Sequence, residues 1–421
     1  MSEGPGNRAG PGRGAEAPAR IALLGRGTVG GAFFDLVSER ADAVAEVSGR
    51  RPEISGVLRR SDGNFEEILA GADIVVELIG GTDPARDYVL RALEAGKHVV
   101  TANKQLVAQH GDELFEAARA GGVQLRFEAA VAGAVPVIRV IQESLAATEL
   151  TKVFGIVNGT TNFILTEMAK TGATFEEVLV RAQELGYAEA DPSDDVGGAD
   201  AAAKMAILAR LAFGTPVGLA DVSYEGITDI QPDDLAYAKE LGLSLKLLGV
   251  AERRRGGISV RVFPCFLYGG HPLAPIEGPF NAVMVESPAI TEITMSGPGA
   301  GGAATATAVL GDVVSILSGE APVHATGERL EVVRDVASSF YLHLEVADRP
   351  GVLAAVADVL GQNGISVRSV VQRGTGHEAR LVMVMHQTPE GAFYTALEEL
   401  AKLDFMRATP RAIRVIEEEF N

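Results

Sequence analysis

An α/β fold in three parts is predicted by three observations. Short apolar runs ended by glycine alternate with helical stretches over residues 20–135. A mixed succession of strand-like and helical segments follows Pro136, and about 80 residues at the end read β-α-β-β-α-β. The first 19 residues are dominated by Gly, Pro, Ala and Arg with no apolar stretch, so they read as a flexible tail and not as a signal peptide.

Ile21-Ala22-Leu23-Leu24-Gly25 is too short for a helix and suits a buried parallel strand. Val29 to Val37 supplies the following helix and Glu53 to Leu58 the second strand, completing a βαβ unit. Runs at Ile74 to Ile79, Val99-Val100 and Val123 to Phe127 alternate with helical stretches at Asp87 to Ala95 and Asp112 to Ala120. Residues 20–135 therefore form a doubly wound parallel sheet. The second domain, 136–330, is α+β: Ala146 to Val157 reads as strand, while Thr161 to Lys170, Phe175 to Leu185 and Ala199 to Phe213 read as helices. Gly256 to Phe266 and Ala289 to Met295 are strand-like. Gly297 to Gly302 is a glycine-dense loop feeding a helix, about 303–318, that can return to the first domain. The third unit, 341–421, has strands at Tyr341 to Val346, Gly364 to Val371, Ala379 to Met385 and Ala412 to Ile416. Its helices are Val352 to Asn363 and Ala392 to Lys402.

Composition narrows the function. Across 421 residues, 37 basic side chains face 56 acidic ones, a net charge of −19, which argues against duplex nucleic acid or an anionic membrane as the main partner. The longest apolar stretches, such as Ala129 to Ile138, are well short of the ~20 residues that span a bilayer. The single cysteine, Cys265, excludes an internal disulfide or a cysteine-rich metal site and fits a reducing cytoplasm. The charge is unevenly spread: +2 over residues 20–60 and −12 over 139–340.

Gly25-Arg26-Gly27-Thr28-Val29-Gly30 sits between a strand and a helix, where a dinucleotide fingerprint belongs. Gly25 permits the tight turn, Gly27 lets a pyrophosphate approach, and Gly30 lets helix pack on strand. The second strand ends in Arg59-Arg60 in place of the acidic residue that holds a ribose 2′-hydroxyl. Two guanidiniums suit a 2′-phosphate, and hence NADP with NAD possible, Arg59 being the better placed; a solvated arginine pair is the alternative. Thr101-Ala102-Asn103-Lys104 lies at the carboxyl edge of the sheet, where Lys104 is either a ligand contact or a surface charge. From Glu189 to Asp200 there are five carboxylates and no basic residue, a cluster that needs a cation, such as a substrate ammonium or Lys204. Asp200 and Lys204, at i and i+4, make either a surface ion pair or a lysine oriented to pass a proton.

Six blocks in order, Gly25 to Gly30, Thr-Ala-Asn-Lys to Lys104, Glu128 to Gly133, Asn158-Gly159-Thr160-Thr161-Asn162, Gly186 to Lys204 and Gly297 to Gly301, resemble homoserine dehydrogenase over about residues 20–330. The resemblance implies reversible oxidation of L-homoserine to L-aspartate 4-semialdehyde with NAD(P). It makes Lys204 the proton-transferring lysine, Lys104 the lysine between cofactor and substrate, and Glu189 and Asp200 homoserine-binding acids, with Asp195 in the same block. Thr28, Val29, Gly186 and Gly301 match cofactor contacts. A monovalent cation, sodium, is implied at Glu128, Val131, Gly133 and Val135, which suits oxygen ligands of low charge. From sequence alone this stretch also reads as a buried strand with a capping glutamate. The tail leaves no room for an upstream kinase, so the likeness is to monofunctional members, which form homodimers or homotetramers.

The last unit resembles an ACT domain through its element order and Asp348-Arg349-Pro350-Gly351-Val352-Leu353. That resemblance implies an amino-acid site at Asp348, Arg349, Gly351, Val352, Leu353 and Asn363, with Gly364, and feedback inhibition by threonine; helix-start amides suit a carboxylate. A unit that only dimerises is the alternative. Two other functions fit the sequence less well. A semialdehyde dehydrogenase that forms an acyl-enzyme needs an exposed thiolate, which Cys265 in an apolar strand does not offer. A non-catalytic amino-acid sensor has no use for Lys104, Glu189, Asp200 and Lys204 together.

Overall fold

The computed structural model describes residues 17–60, 62–320, 327–374 and 379–416; the first 16 residues of the expected tail and the last five of the expected third unit lie outside them. The described chain falls into two compact units. One holds the chain up to Ala130 with a later segment beginning at Gly301, and the other holds the chain from Val131 to Ala300 and from residue 327 onward.

The first unit is a five-stranded parallel sheet. Its elements are β1 (Ala19–Leu24), α1 (Thr28–Ser48), β2 (Pro52–Leu58), α2 (Phe65–Ala70), β3 (Ile74–Glu77), α3 (Ala85–Glu94), β4 (His98–Thr101), α4 (Lys104–Gly121) and β5 (Leu125–Arg126), with strand order β2-β1-β3-β4-β5. The strands β1 and β3 are buried almost throughout, which is why they read as unbroken apolar runs. A helix from far along the chain, Gly302–Leu317 (α11 in chain order), packs on α1. Its Ala306, Val309, Val313 and Ile316 join Phe33 and Val37 over Ile21, Leu23, Ile74 and Val76. The helix α1 runs to Ser48, well beyond the expected Val37, and the fifth strand is only two residues long.

The second unit opens with α5 (Val137–Arg139), continued by a wider helical turn to Ser144. There follow β6 (Lys152–Ile156), α6 (Gly159–Thr171), α7 (Phe175–Glu184), α8 (Ser193–Val196), α9 (Ala199–Phe213), β7 (Ser223–Tyr224) and α10 (Pro232–Glu240). The long hairpin β8 (Leu243–Arg254) and β9 (Gly257–Tyr268) leads to β10 (Phe280–Ser287) and β11 (Thr291–Pro298). The strand expected over Ala146 to Val157 is thus confined to Lys152–Ile156, because residues 146–151 form an irregular turn after the helical segment ends at Ser144. The segment between Phe213 and Gly256, for which no element was expected, contributes α10 and β8. The latter is buried on both faces through Leu245 to Ala251 and so shows no clean alternation.

The last part, β12 (Ala337–Glu345), α12 (Val352–Gln362), β13 (Val367–Arg373), β14 (Arg380–Met385), β15 (Thr388–Pro389), α13 (Glu390–Leu400) and β16 (Arg411–Ile416), keeps the expected order with one small added strand. Its core is Phe340, Leu342, Leu344, Val356, Leu360, Leu381, Met383, Phe393 and Leu400, with Phe340 and Phe393 stacked at 3.7 Å. It does not stand apart. The strand β16 pairs in parallel with β9, so one sheet runs β11-β10-β6-β8-β9-β16-β12-β14-β13 through both regions. The helices α6, α9 and α10 pack on that sheet, Met205 of α9 filling the space left by Gly155 and Gly249.

Candidate active site

The glycine fingerprint assigns a different task to each glycine. Gly25 adopts φ of +95° at the end of β1, and a Cβ there would come within 2.6 Å of the Leu78 carbonyl oxygen. A Cβ at Gly30 would overlap the Gly25 carbonyl, whereas one at Gly27 would meet nothing within 4 Å. The second glycine therefore leaves open space in front of α1. Gly27 also caps α1 without a side-chain hydrogen bond, so the amides of the first turn face outward and fit a pyrophosphate. Thr28 is exposed, Val29 half-buried, and Thr28 lies against Gly302, next to Gly301 at the cap of α11; two glycine turns distant in sequence meet here. Arg59 and Arg60 are both exposed at the end of β2, with the Arg59 amide tied to the Asp62 carbonyl at 2.8 Å.

At the edge of the same sheet, the Thr101 to Lys104 motif is built around a carboxylate absent from the sequence-based candidates. Glu77, fully buried at the end of β3, accepts from the Ile79 amide at 2.7 Å, the Gly80 amide at 3.2 Å and the Thr101 hydroxyl at 2.5 Å. Burial holds its carboxyl above the ordinary range against the pull of these donors. Asn103 caps α4 by accepting from the Leu106 amide and donates to the Gly81 carbonyl. Lys104 thus stands on the first turn of α4, on an edge held rigid by Glu77, Thr101 and Asn103.

In the second unit the acidic block closes on itself. The helix α9 starts at Gly198 in the left-handed conformation, and its first turn places Asp200 one turn below Lys204. Asp200 Oδ2 and Lys204 Nζ are 2.8 Å apart, with side chains only 3% and 14% exposed, so this is not a surface ion pair. Lys204 also donates to the Val157 carbonyl at 2.8 Å. Asn158 donates to Asp195 Oδ1 at 2.6 Å and to Asp200 Oδ2 at 2.8 Å. Glu189 is exposed and its backbone carbonyl is held by Gln183 at 3.0 Å. The turn at Gly186 is fixed through Thr160, which donates to the Tyr187 carbonyl at 2.6 Å. The structure thus brings Asp195, Asp200 and Lys204 together and leaves Glu189 on the exposed approach. The second asparagine of the Asn-Gly-Thr-Thr-Asn motif, Asn162, spans the carbonyls of Ile276, Gly278 and Phe280. Lys246, whose burial lowers it to about 8, donates to that same Ile276 carbonyl.

The remaining candidates are described where each lies. Glu128 is buried in the first unit, its amide donating to Asp312 on α11 at 2.8 Å. In the second unit Val131, Gly133 and Val135 lie in a buried turn through the left-handed residues Ala132 and Gly133, and the Val135 carbonyl accepts from the Val137 amide. Among the described residues no group of three or more His, Cys, Asp or Glu side chains is arranged to hold a metal, which leaves carbonyl-rich cation sites untouched. In the C-terminal part Gly351 starts α12, Asp348, Arg349 and Leu353 are exposed, and Arg349 pairs with Asp404. Val352 packs into the core, so that residue can offer a ligand only its backbone. Asn363, at the other end of α12, donates to Glu399 at 2.8 Å, and Gly364 follows it, exposed. Cys265 is fully buried and its thiol pushed up to about 12, which makes it no nucleophile. No helix among the described residues is long and apolar enough to cross a membrane.

Comparisons with known proteins bear on this geometry. Residues 25–128 match the family model described as "Homoserine dehydrogenase, NAD binding domain", residues 136–314 that of "Homoserine dehydrogenase", and residues 341–405 that of the ACT domain. Homoserine dehydrogenase of Corynebacterium glutamicum is 42% identical over 96% of this chain and 97% of its own length. The crystal structure of a homoserine dehydrogenase from Thiobacillus denitrificans superposes with a TM-score of 0.90 at 37% identity, covering 95% of this chain and 99% of the other. A hyperthermophilic archaeal homoserine dehydrogenase in complex with NADPH matches with a TM-score of 0.62 at 25% identity, over 71% of this chain and 98% of that one. Family models spanning both the glycine fingerprint and the buried acid–lysine cluster, and relatives matched over nearly their whole length, lead to one conclusion: the chain belongs to the homoserine dehydrogenase family, as a nicotinamide-dependent oxidoreductase with a C-terminal ACT domain.

Proposed function

We propose that this chain interconverts L-homoserine and L-aspartate 4-semialdehyde with Lys204 as the proton carrier, prefers NADP to NAD, and is inhibited by threonine through its ACT domain. The observation that carries the catalytic reading is the buried Asp200–Lys204 pair: an ammonium held at 2.8 Å by a carboxylate and at 2.8 Å by a carbonyl has a fixed direction, as proton transfer requires. The nicotinamide, when bound, supplies hydride exchange at the carbinol carbon of the substrate. In the reductive direction Lys204 stabilises the oxygen as negative charge develops there and gives it a proton; in the oxidative direction its neutral amine takes the hydroxyl proton. Asp200 and Glu189 are the acids proposed to hold the substrate ammonium, with Asp195 completing the negative field. Lys104, on the first turn of α4, is assigned to the place between cofactor and substrate.

The open space at Gly27 and the uncapped start of α1 support a pyrophosphate there, with Thr28, Val29 and Gly301 as further contacts; Gly186 is assigned to the cofactor by the family likeness alone. Arg59 and Arg60 support the 2′-phosphate of NADP, in keeping with the NADPH complex of the archaeal relative. The donors proposed for sodium, carried over from the family likeness, are Glu128 and the carbonyls of Val131, Gly133 and Val135, since one charge and neutral oxygens suit a hard monovalent ion. The start of α12 at Asp348, Arg349, Gly351, Val352 and Leu353, with Asn363, is the proposed threonine site. A homodimer or homotetramer in the cytoplasm is the proposed working form. Homoserine-dependent reduction of NADP and of NAD, each with and without threonine, tests this reading. Faster reduction of NADP, slowed by threonine, is expected; equal use of both cofactors removes the Arg59 argument, and indifference to threonine removes the regulatory one.

A further inference from the structure

We propose that Asn158 is a positioning residue for the proton-transfer pair: its side-chain amide links the two acids of the acidic block and thereby sets the direction in which Asp200 presents Lys204. This rests on the reading of Lys204 as the proton carrier. Asn158 is 4% exposed at the junction of β6 and α6. Its Oδ1 caps α6, accepting from the Thr161 amide at 2.8 Å and the Thr161 hydroxyl at 3.0 Å. Because the cap needs an acceptor at that end, the amide has one sensible orientation, and Nδ2 is turned toward the acids. Nδ2 carries two hydrogens, and two carboxylates receive them: Asp195 Oδ1 at 2.6 Å and Asp200 Oδ2 at 2.8 Å. A neutral donor thus stands where two anions converge, lowering their repulsion without competing with Lys204 for a charge.

The neighbouring backbone completes the grip. The Val157 carbonyl accepts from Lys204 Nζ at 2.8 Å and also from Asn281 Nδ2, itself fully buried, at 3.1 Å. Consecutive residues therefore hold the two halves of the pair, Val157 the ammonium and Asn158 the carboxylate. The junction that carries them cannot shift easily, since a Cβ at Gly159 would already lie 2.7 Å from the Pro279 carbonyl oxygen.

The cap and the link to the acids are separable. Asn158→Ser and Asn158→Asp each retain an acceptor for the Thr161 amide, but neither donates to both acids; Asn158→Ala loses both functions. In the full-length protein, positioning predicts that Asn158→Ser, which keeps the cap, loses less melting temperature than Asn158→Ala and keeps the KM for NADP, while kcat for homoserine oxidation falls about tenfold to a hundredfold. Asn158→Asp is expected to lose more than Asn158→Ser, because it sets a third carboxylate against the other two. A residue that serves only as a cap predicts the reverse order, since Asp caps a helix at least as well as Ser. Wild-type kcat in either cap-competent variant overturns the proposal. Lys204→Ala, measured in parallel, separates the two levels: if it turns over normally both readings fall, and if it is inactive while Asn158→Ser is unimpaired, only the positioning role falls.

Discussion

Arg59, exposed at the end of β2, is the side chain proposed to set the cofactor preference. On that proposal, Arg59→Asp would remove a charge-assisted bond to a 2′-phosphate and offer a ribose hydroxyl an acceptor. The ratio of kcat/KM for NADP over NAD is expected to drop roughly tenfold to a hundredfold with little change in melting temperature. An unchanged ratio assigns the 2′-phosphate elsewhere. The fingerprint was legible because its chemistry is local: three glycines within six residues, each with its own steric task. Lys204 and Asp200 were legible as a pair through their helical spacing, but their burial was not, and burial is what separates a surface ion pair from a directed one. Asn158 and Glu77 were illegible as partners of the acids and of Thr101, because those partners lie tens of residues away and only the folded sheet brings them together.

The acidic element α8 depends on its neighbours, being a single turn with no side-chain cap. It is backed by the segment after β7: the Ile227 amide donates to the Val196 carbonyl at 2.9 Å, and a Cβ at Gly226 would overlap that carbonyl. Gly226→Ala must therefore push α8 outward. A loss of about 1–3 kcal/mol of stability is expected from such overpacking, together with a raised KM for homoserine and an unchanged KM for NADP. Thermal unfolding and initial rates measure both, and a KM for homoserine equal to wild type shows that α8 does not present the acids. At this scale the alternating β and α elements of the first unit were read well, since parallel strands buried on both faces leave continuous apolar runs. The hairpin β8–β9 was half missed: β9 reads from sequence as Gly256 to Phe266, but β8 carries Lys246 and Gly249 among its apolar residues, each explained only by a distant partner, the Ile276 carbonyl and Met205.

Across the second unit, the joining of the C-terminal part to the catalytic region through β16 and β9 was not expected from sequence, where a βαββαβ pattern reads as a self-contained module. The seam is held by charge. Arg414 on β16 meets Glu390 at 2.8 Å, Arg261 on β9 meets the same carboxylate at 2.6 Å, and Arg414 also reaches Glu225, the residue before Gly226, at 2.9 Å. Burial alone would raise the Glu390 carboxyl; the hydrogen bonds and charge of Arg414 outweigh it and hold the group below 4.5, so its contribution to stability is full above that value and is lost as the pH falls through the lowered one. Glu390→Gln leaves Arg414 with Glu225 and Arg261 with Glu252 as their remaining carboxylates, and losing the shared one is expected to cost about 1–3 kcal/mol at neutral pH. The gap in melting temperature between wild type and variant should close as the solution is acidified below 4.5. A gap that stays constant there removes the ion pair as its cause.

The most direct test concerns Lys204, the group on which the buried acid cluster converges. Homoserine-dependent reduction of NADP by Lys204→Ala, with cofactor affinity measured alongside by titration, is expected to show turnover reduced about 10²- to 10⁴-fold at unchanged NADP affinity. Turnover near that of the wild type would contradict proton transfer through this lysine.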